Sequence, residues 1–409
     1  MKQGKKSSFI KDLFTSNEKI LAEWIDEKAG VKLNGNRVED ISINNPREFW
    51  KGVFKGDLGL GEAYMKGYWD TKSIDKLVRK IATADLSDNI PINPKLILRA
   101  LKERLLDFHF LTVLFKRRFT DQGSKTRAKE VGEKHYDLGN DLYETMLGKS
   151  MVYTCALWRK ARDLTSAQIA KMDLLGEKLR LKPGMSVLDI GGGFGSLAIH
   201  LAKKYGVRVV NIGIAKQQLK KADELAAKAN LPQVNGKPAV ENRFLRYQDL
   251  KPNEKFDRVI SVEMIEAVSS KYLAYFMKKV AGVLKDGGLF VLQTIGLNIA
   301  SRPSESWITT YIFPNGRLHS LRELVRSVEG LFTIDHLENI QDSYVPTLKA
   351  WAKNFDDNWK ILKYKYGDKT KPEYKGKFYR MWKLYLLGCA GMFEAKKMQL
   401  WQIVLSKGA

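Results

Sequence analysis

The chain has 409 residues, with 70 Lys and Arg against 46 Asp and Glu, a formal net charge of +24. Its 44% apolar and 11% aromatic residues are enough for large cores, and its two cysteines exclude a disulfide scaffold. The positive excess points to a polyanionic partner, either nucleic acid or an anionic membrane surface. Residues 1–9 lack the apolar core of a secretory signal, and no uncharged apolar run approaches ~18 residues, so the expectation is a cytoplasmic chain that does not span a bilayer.

In chain order, residues 1–100 read as a small α+β domain. L-G-L-G-E-A-Y-M-K-G-Y-W-D (58–70), rich in glycine and aromatics, reads as a turn-bounded element, and N-I-P-I-N-P (89–94) as a break. A basic amphipathic helix over 95–119 and a polar linker over 121–134 make 101–134 a connecting segment. From 135 to 409 the pattern alternates. Strands are expected at 185–193, 207–212, 257–265 and 287–295, and helices at 196–205, 216–229 and 271–285, followed by aromatic-rich helical segments over 346–400. Strands separated by such helices predict an α/β domain with a parallel sheet covered on both faces.

V-L-D-I-G-G-G-F-G-S (187–196) is the most informative local signal. Asp189 ends a strand, and Gly191, Gly193 and Gly195 turn the chain into a helix, so a ligand there would sit over strand ends and a helix N-terminus. The spacing D-x-G-x-G-x-G is neither the dinucleotide fingerprint nor the phosphate loop. With no pyrophosphate to hold, the Asp189 carboxylate can face a cationic, amino-acid-bearing nucleoside such as S-adenosylmethionine. An ordinary glycine turn in a doubly wound sheet gives the same pattern.

H-Y-D-L-G-N-D-L-Y (135–143), M-V-Y-T-C-A-L-W (151–158), L-K-P-G-M-S-V-L-D-I-G (181–191), Y-I-F-P-N-G (311–316) and A-G-M-F (390–393) resemble bacterial cyclopropane-fatty-acyl-phospholipid synthases, as does 59–70 in the N-terminal part. The resemblance covers roughly residues 50–407. It implies a Rossmann-like S-adenosylmethionine-dependent methyltransferase domain with inserted helices that form an acyl tunnel. It also implies a smaller N-terminal domain serving oligomerisation, as a homodimer, and membrane docking. The implied reaction adds a methyl carbon to the cis double bond of a phospholipid acyl chain, and proton loss from that carbon closes a cyclopropane. By the same resemblance Tyr153, Thr154, the 187–195 loop and the stretch Gly213–Gln218, including Ile214, contact cofactor. Cys389 is an active-site cysteine, and Cys155, Glu266, Ile295 and Tyr344 surround a bound bicarbonate that serves as base.

The chain departs from the family's usual pattern. Gln293 stands for a histidine, Glu263 for a glycine and Ala267 for a histidine, and E-M-I-E-A-V with Q-T-I resembles a side branch that methylates oleoyl chains without always closing a ring. Bicarbonate needs donors such as imidazole. Losing the histidine and gaining a carboxylate suggests that Glu263 itself is the base, its pKa raised in an apolar site. Gly213-Ile214-Ala215 lacks two of the family's hydroxyls, and the acidic residue that meets adenine aligns with Arg246 or Asp249.

Plainer readings stand beside these. Cys155 and Cys389 could be packed thiols, Glu266 a helix-start acid, and Tyr311, Phe313 and Tyr344 packing aromatics. Trp307 and Trp351 read as structural. The basic helix and the Lys/aromatic run 359–383 suit a peripheral position at the inner face of an anionic phospholipid bilayer. The basic residues are spread along the whole chain without a nucleic-acid motif, which argues against nucleic acid. A methylene- or methyl-branching enzyme, an RNA methyltransferase and a lipid-binding pseudoenzyme are the alternative functions.

Overall fold

A computed structural model of the chain describes residues 16–84, 86, 98, 101–103, 139–300, 307–314, 316–368 and 375–408. The expected helix over 95–119, apart from Leu98 and 101–103, and the linker over 121–134 lie outside the described residues, as do residues 135–138 of the first family motif. The chain forms two compact units. The first gathers Met1–Thr120, Ser304–Ile312 and Trp359–Lys397; the second gathers Asp121–Pro303, Phe313–Asn358 and Met398–Ala409.

The first unit begins with α1 (Ser16–Ala29), β1 (Ser42–Ile43), α2 (Pro46–Phe54), α3 (Asp57–Met65), β2 (Trp69–Asp70) and α4 (Ile74–Ala84). Its core holds Phe49, Trp50, Phe54, Tyr64, Trp69 and Leu77. The glycine-rich stretch expected to be a turn-bounded element is mostly helix α3. Its helical glycines, Gly59 and Gly61, serve close packing: a Cβ on Gly61 would lie 2.6 Å from Trp307 Cγ. Likewise, a Cβ on Gly391 would meet the Asp75 carbonyl oxygen at 2.5 Å. These contacts join segments 304–312 and 359–397 to the N-terminal residues, whereas the expected division keeps both in the larger domain. A packing glycine and a turn glycine look alike in sequence.

The second unit follows with α5 (Asn140–Leu147), α6 (Leu164–Lys178), β3 (Ser186–Ile190), α7 (Ser196–Tyr205), β4 (Arg208–Gly213), α8 (Lys216–Ala229), β5 (Val240–Phe244), β6 (Phe256–Val262), α9 (Leu273–Val283) and β7 (Leu284–Leu297). Next come α10 (Trp307–Tyr311, in the first unit), β8 (His319–Ser320), α11 (Leu321–Val328), β9 (Thr333–Asn339), α12 (Tyr344–Lys363), α13 (Phe378–Glu394, in the first unit) and β10 (Gln399–Ser406). The sheet order is β5-β4-β3-β6-β7-β10-β9, with β8 beside β7. Strands β3 to β7 are parallel, as the alternation predicts, while β10 runs antiparallel to both β7 and β9.

The sheet is therefore mixed rather than wholly parallel. Strands β5 and β9 are its two edges and carry charged residues instead of apolar runs, which hides them from a hydropathy reading. Strand β10 closes the aromatic-rich C-terminal segment and is almost wholly buried. One face of the sheet packs Ile190, Ile212, Phe276, Phe290 and Trp401 with α9 and α11, and the other packs Leu175, Leu197, Leu201, Val209 and Val291 with α6 and α7. The first strand of the alternation, β3, lies between β4 and β6, so the chain reverses its direction of travel across the sheet at β3. In doubly wound sheets that crevice is where ligands bind.

Candidate active site

The turn after β3 has the conformation its glycines foretell. Gly191, Gly193 and Gly195 sit at φ +85°, +56° and +74°. A Cβ on Gly192 would overlap Asp189 Oδ2, and one on Gly191 would overlap the Met264 side chain. The loop thus packs its backbone directly against Asp189, Asn211 and Met264. Asp189 is fully buried, and neither of its carboxylate oxygens has a hydrogen-bond partner. Burial raises its pKa to about 7, opposed by the charge of Lys171. Asn211, its cross-strand neighbour on β4, is also buried and also has a free side-chain oxygen. Three sealed acceptor oxygens on two residues, without donors, are costly unless a ligand supplies the donors. A cationic ammonium at this turn fits them, so the residues suit S-adenosylmethionine.

Other expected cofactor residues join this turn less directly. Tyr153 packs edge-on to Tyr143 at 5.3 Å and tilts against Trp351 at 5.4 Å. Those rings continue to Phe194 in the glycine turn and to Tyr344, giving an aromatic wall from one end of the site to the other. Thr154 is held twice: Lys171 Nζ donates to its Oγ1 at 2.9 Å, and Gln168 Nε2 to its carbonyl at 2.8 Å. Gly213 ends β4, Ile214 follows it, and Gln218 is buried in the first turn of α8, 3.8 Å from where a Cβ on Gly193 would lie. Arg246 and Asp249, the alternative adenine partners, instead pair with each other through two hydrogen bonds of 2.7 Å.

The second part of the site is a pair of carboxylates after β6. Glu263 Oε1 accepts from the Cys155 backbone N–H at 3.0 Å and from Gln293 Nε2 at 2.6 Å, while Oε2 accepts from Tyr344 Oη. Its own N–H donates to the Gln293 carbonyl at 2.8 Å, and its backbone is left-handed at φ +52°. That is glycine's region, and a glutamate stays there only when its surroundings hold it. Glu266 Oε1 accepts from the Ile295 N–H at 2.6 Å and from Thr294 Oγ1 at 2.8 Å, and its Oε2 is sealed and unpartnered. Burial, then the charge of Glu263, raises the Glu266 pKa to about 7. Burial likewise raises Glu263, opposed by Tyr344, Cys155 N–H, Gln293 and Lys171.

Cys155, Glu263, Glu266, Gln293, Ile295 and Tyr344 thus come together in one cluster of the second unit. Cys155 contributes its backbone amide. Its thiol is wholly buried, and burial and the Glu263 charge push its pKa far upward, so it is a neutral packed group. Cys389 belongs to α13 in the first unit and is not among the cluster's hydrogen-bonded groups; burial lifts its thiol to about 12.

Three contributors escaped the sequence reading. Lys171 is 1% exposed, with burial lowering its pKa to about 8 against the charges of Glu263, Cys155 and Asp189. It lies four residues from both Ala167 and Leu175 on the apolar stripe of α6, and a lysine on such a stripe was the available signal. Asn211 gave none beyond its place on a strand. Thr347 is a fully buried hub whose Oγ1 accepts from Ala156 N–H at 3.2 Å and Trp158 Nε1 at 2.9 Å and donates to the Ser343 carbonyl at 2.7 Å. Thr347→Val keeps the shape but strands those two donors. It is expected to cost about 2–4 kcal/mol, checked by denaturant unfolding, because each buried unsatisfied group costs about 1–3 kcal/mol.

A mainly parallel sheet reversing at β3, with β10 inserted antiparallel beside β7 and a glycine turn over a buried acid, defines a methyltransferase domain that uses S-adenosylmethionine. The chain belongs to the cyclopropane synthase family, since the family model "Mycolic acid cyclopropane synthetase" matches residues 123–403. It is 38% identical over 388 residues to the cyclopropane-fatty-acyl-phospholipid synthase of Escherichia coli (strain K12), covering 95% of this chain and 93% of that protein. A probable fatty acid methyltransferase of Pseudomonas putida is 34% identical over 71% of this chain and 74% of its own. Among solved structures, mycolic acid cyclopropane synthase CmaA1 complexed with SAH and CTAB superposes with a TM-score of 0.60 at 27% identity, over 68% of this chain and 98% of that one.

Proposed function

We propose that the chain converts the cis double bond of unsaturated phospholipid acyl chains into a cyclopropane, with S-adenosylmethionine as carbon donor and Glu263 as base. The observation that carries this reading is the three-donor cradle on Glu263. The carboxylate is held by Cys155 N–H, Gln293 and Tyr344. In the family resemblance, Cys155 and Tyr344 are positions around a bound bicarbonate. A carboxylate has the same planar O–C–O shape as that ion, so the side chain takes its place.

S-adenosylmethionine, when bound, supplies an electrophilic methyl on a sulfonium. Asp189, Asn211 and the 191–195 backbone would hold its polar end. The remaining chemistry belongs to the chain. Methyl addition to the alkene leaves a cation on the neighbouring acyl carbon. Glu263 takes a proton from the added carbon, and that C–H electron pair closes the ring. The proton then stays on the carboxyl group until the product leaves. Tyr153, Trp351 and Tyr344 pack against one another, and aromatic rings beside a developing cation would stabilise it without trapping it, as water would.

A methylene or methyl-branched product is the second reading, supported by the E-M-I-E-A-V and Q-T-I pattern: the same cation loses a different proton. Expression in a host that makes monounsaturated lipids, followed by fatty-acid analysis, tests both. A gain of one CH₂ is expected, and hydrogenation separates a ring from a methylene; no gain with purified enzyme on unsaturated vesicles would refute both. Among the described residues no helix is long and apolar enough to cross a membrane. Peripheral binding to an anionic bilayer, supported by the +24 charge, and a homodimer belong to the same proposal. Flotation with and without anionic lipid, and light scattering, check them.

A further inference from the structure

A row of buried polar side chains leads away from Glu263 across the sheet. Gln293 and Gln402 are register partners on β7 and β10, and Gln402 and Glu338 are register partners on β10 and β9. Both glutamines are fully buried. Lys178 Nζ donates to Gln402 Oε1 at 2.6 Å, Gln402 Nε2 donates to Gln293 Oε1 at 2.8 Å, and Gln293 Nε2 donates to Glu263 Oε1 at 2.6 Å. Beyond Lys178, Glu338 accepts from Nζ at 2.5 Å and from Arg159.

The order of these bonds is forced. An ammonium has only donors, so Gln402 must show it an oxygen. Gln402 then turns its NH₂ to Gln293, which must answer with its oxygen and is left with its NH₂ facing Glu263. We propose that Lys178 and Gln402 are positioning residues for the base, fixing the orientation of Gln293 so that Glu263 always meets a donor and is held as a carboxylate. No proton travels along the row, because amides between fixed partners reorient nothing; what is transmitted is direction. The inference rests on Glu263 being the base of the proposed reaction. The other groups facing Glu263 are Tyr344 from α12, Cys155 and Lys171 from α6 and the segment before it, and Glu266 from its own loop. Around Lys178 stand Glu338 and Arg159, with His336 3.9 Å from Glu338.

Gln402→Glu tests the idea with a nearly isosteric change. The new carboxylate keeps Lys178 but offers Gln293 acceptors alone. Gln293 then reverses, its carbonyl faces Glu263, and Glu263 must carry a proton. Product formation on unsaturated phospholipid vesicles, measured between about pH 5.5 and 9, should show the acid limb of kcat/KM displaced upward by about one unit. That is a loss of up to about tenfold on the acid limb, recovered at high pH. Lys178→Met should move the limb in the same direction by less, and it serves if Gln402→Glu does not fold. A row that only satisfies its own buried polar groups would lower thermal stability and leave the limb in place. That outcome in folded variants that still bind SAH would overturn the proposal. Glu263→Gln run alongside separates the two readings: if it is inactive while the Gln402→Glu profile matches the parent, only the positioning role fails. If Glu263→Gln is fully active, the base assignment itself fails.

Discussion

Glu263→Gln is expected to lower kcat by about 10²–10⁴-fold, the usual contribution of a positioned general base, while SAH binding stays intact. The amide still fills the cradle but cannot take the proton from the added carbon, and its NH₂ opposes the donors of Cys155, Gln293 or Tyr344. With Glu263 as the proposed base, purified parent enzyme should run at full rate in buffer stripped of carbon dioxide, because no diffusible ion would be needed to take the proton. Full activity of the variant together with dependence of the parent on bicarbonate would show that the ion, not the side chain, removes the proton. Since desolvation raises the Glu263 pKa above the ordinary carboxylate range, the parent's rate should fall on the acid side as Glu263 takes up a proton.

The second large effect concerns Asp189, and it has two signs. Asp189→Asn should weaken SAH binding by about 30-fold or more, since removing one partner of a buried charge pair costs roughly 2–5 kcal/mol. Without ligand the same substitution should stabilise the protein. The native carboxyl titrates at about 7, above its unfolded value, so the folded chain holds a proton that the unfolded chain releases. Parent stability therefore declines as pH rises from about 4 to about 7, and the neutral amide escapes that decline. Thermal melts at low and high pH, with and without SAH, check it: the variant gains most at high pH in the free state and least with ligand. A variant that is merely misfolded would melt lower throughout.

Much of this was readable in the residues. The two helices at 196–205 and 216–229 have the expected ends, because Gly195 and Gly206 bound the first and a left-handed Asn230 stops the second. The glycine turn was legible because its chemistry is local. The carboxylate cluster was found only through family resemblance. Cys155 and Glu263 are 108 positions apart, and Glu263 and Tyr344 81 apart, so no spacing rule could join them. Lys171 and Gln402 were missed because their role depends on what faces them across the fold. The edge strands β5 and β9 escaped for the opposite reason: solvent on one side removes the apolar signature that strand detection needs.

The left-handed backbone at position 263 bears on how such an enzyme could arise. Glycine is the least strained occupant of that conformation, and the sequence resemblance implies that glycine is what the family usually has there. Glycine and glutamate codons differ by a single base. On the proposed role of Glu263, one mutation would be enough to trade a diffusible anion for a tethered one, provided the donors lining the slot were already in place. With Glu263 as the proposed base, such a lineage would no longer depend on the ambient supply of dissolved carbon dioxide, and the reverse mutation, relieving strain as it goes, would remain equally near.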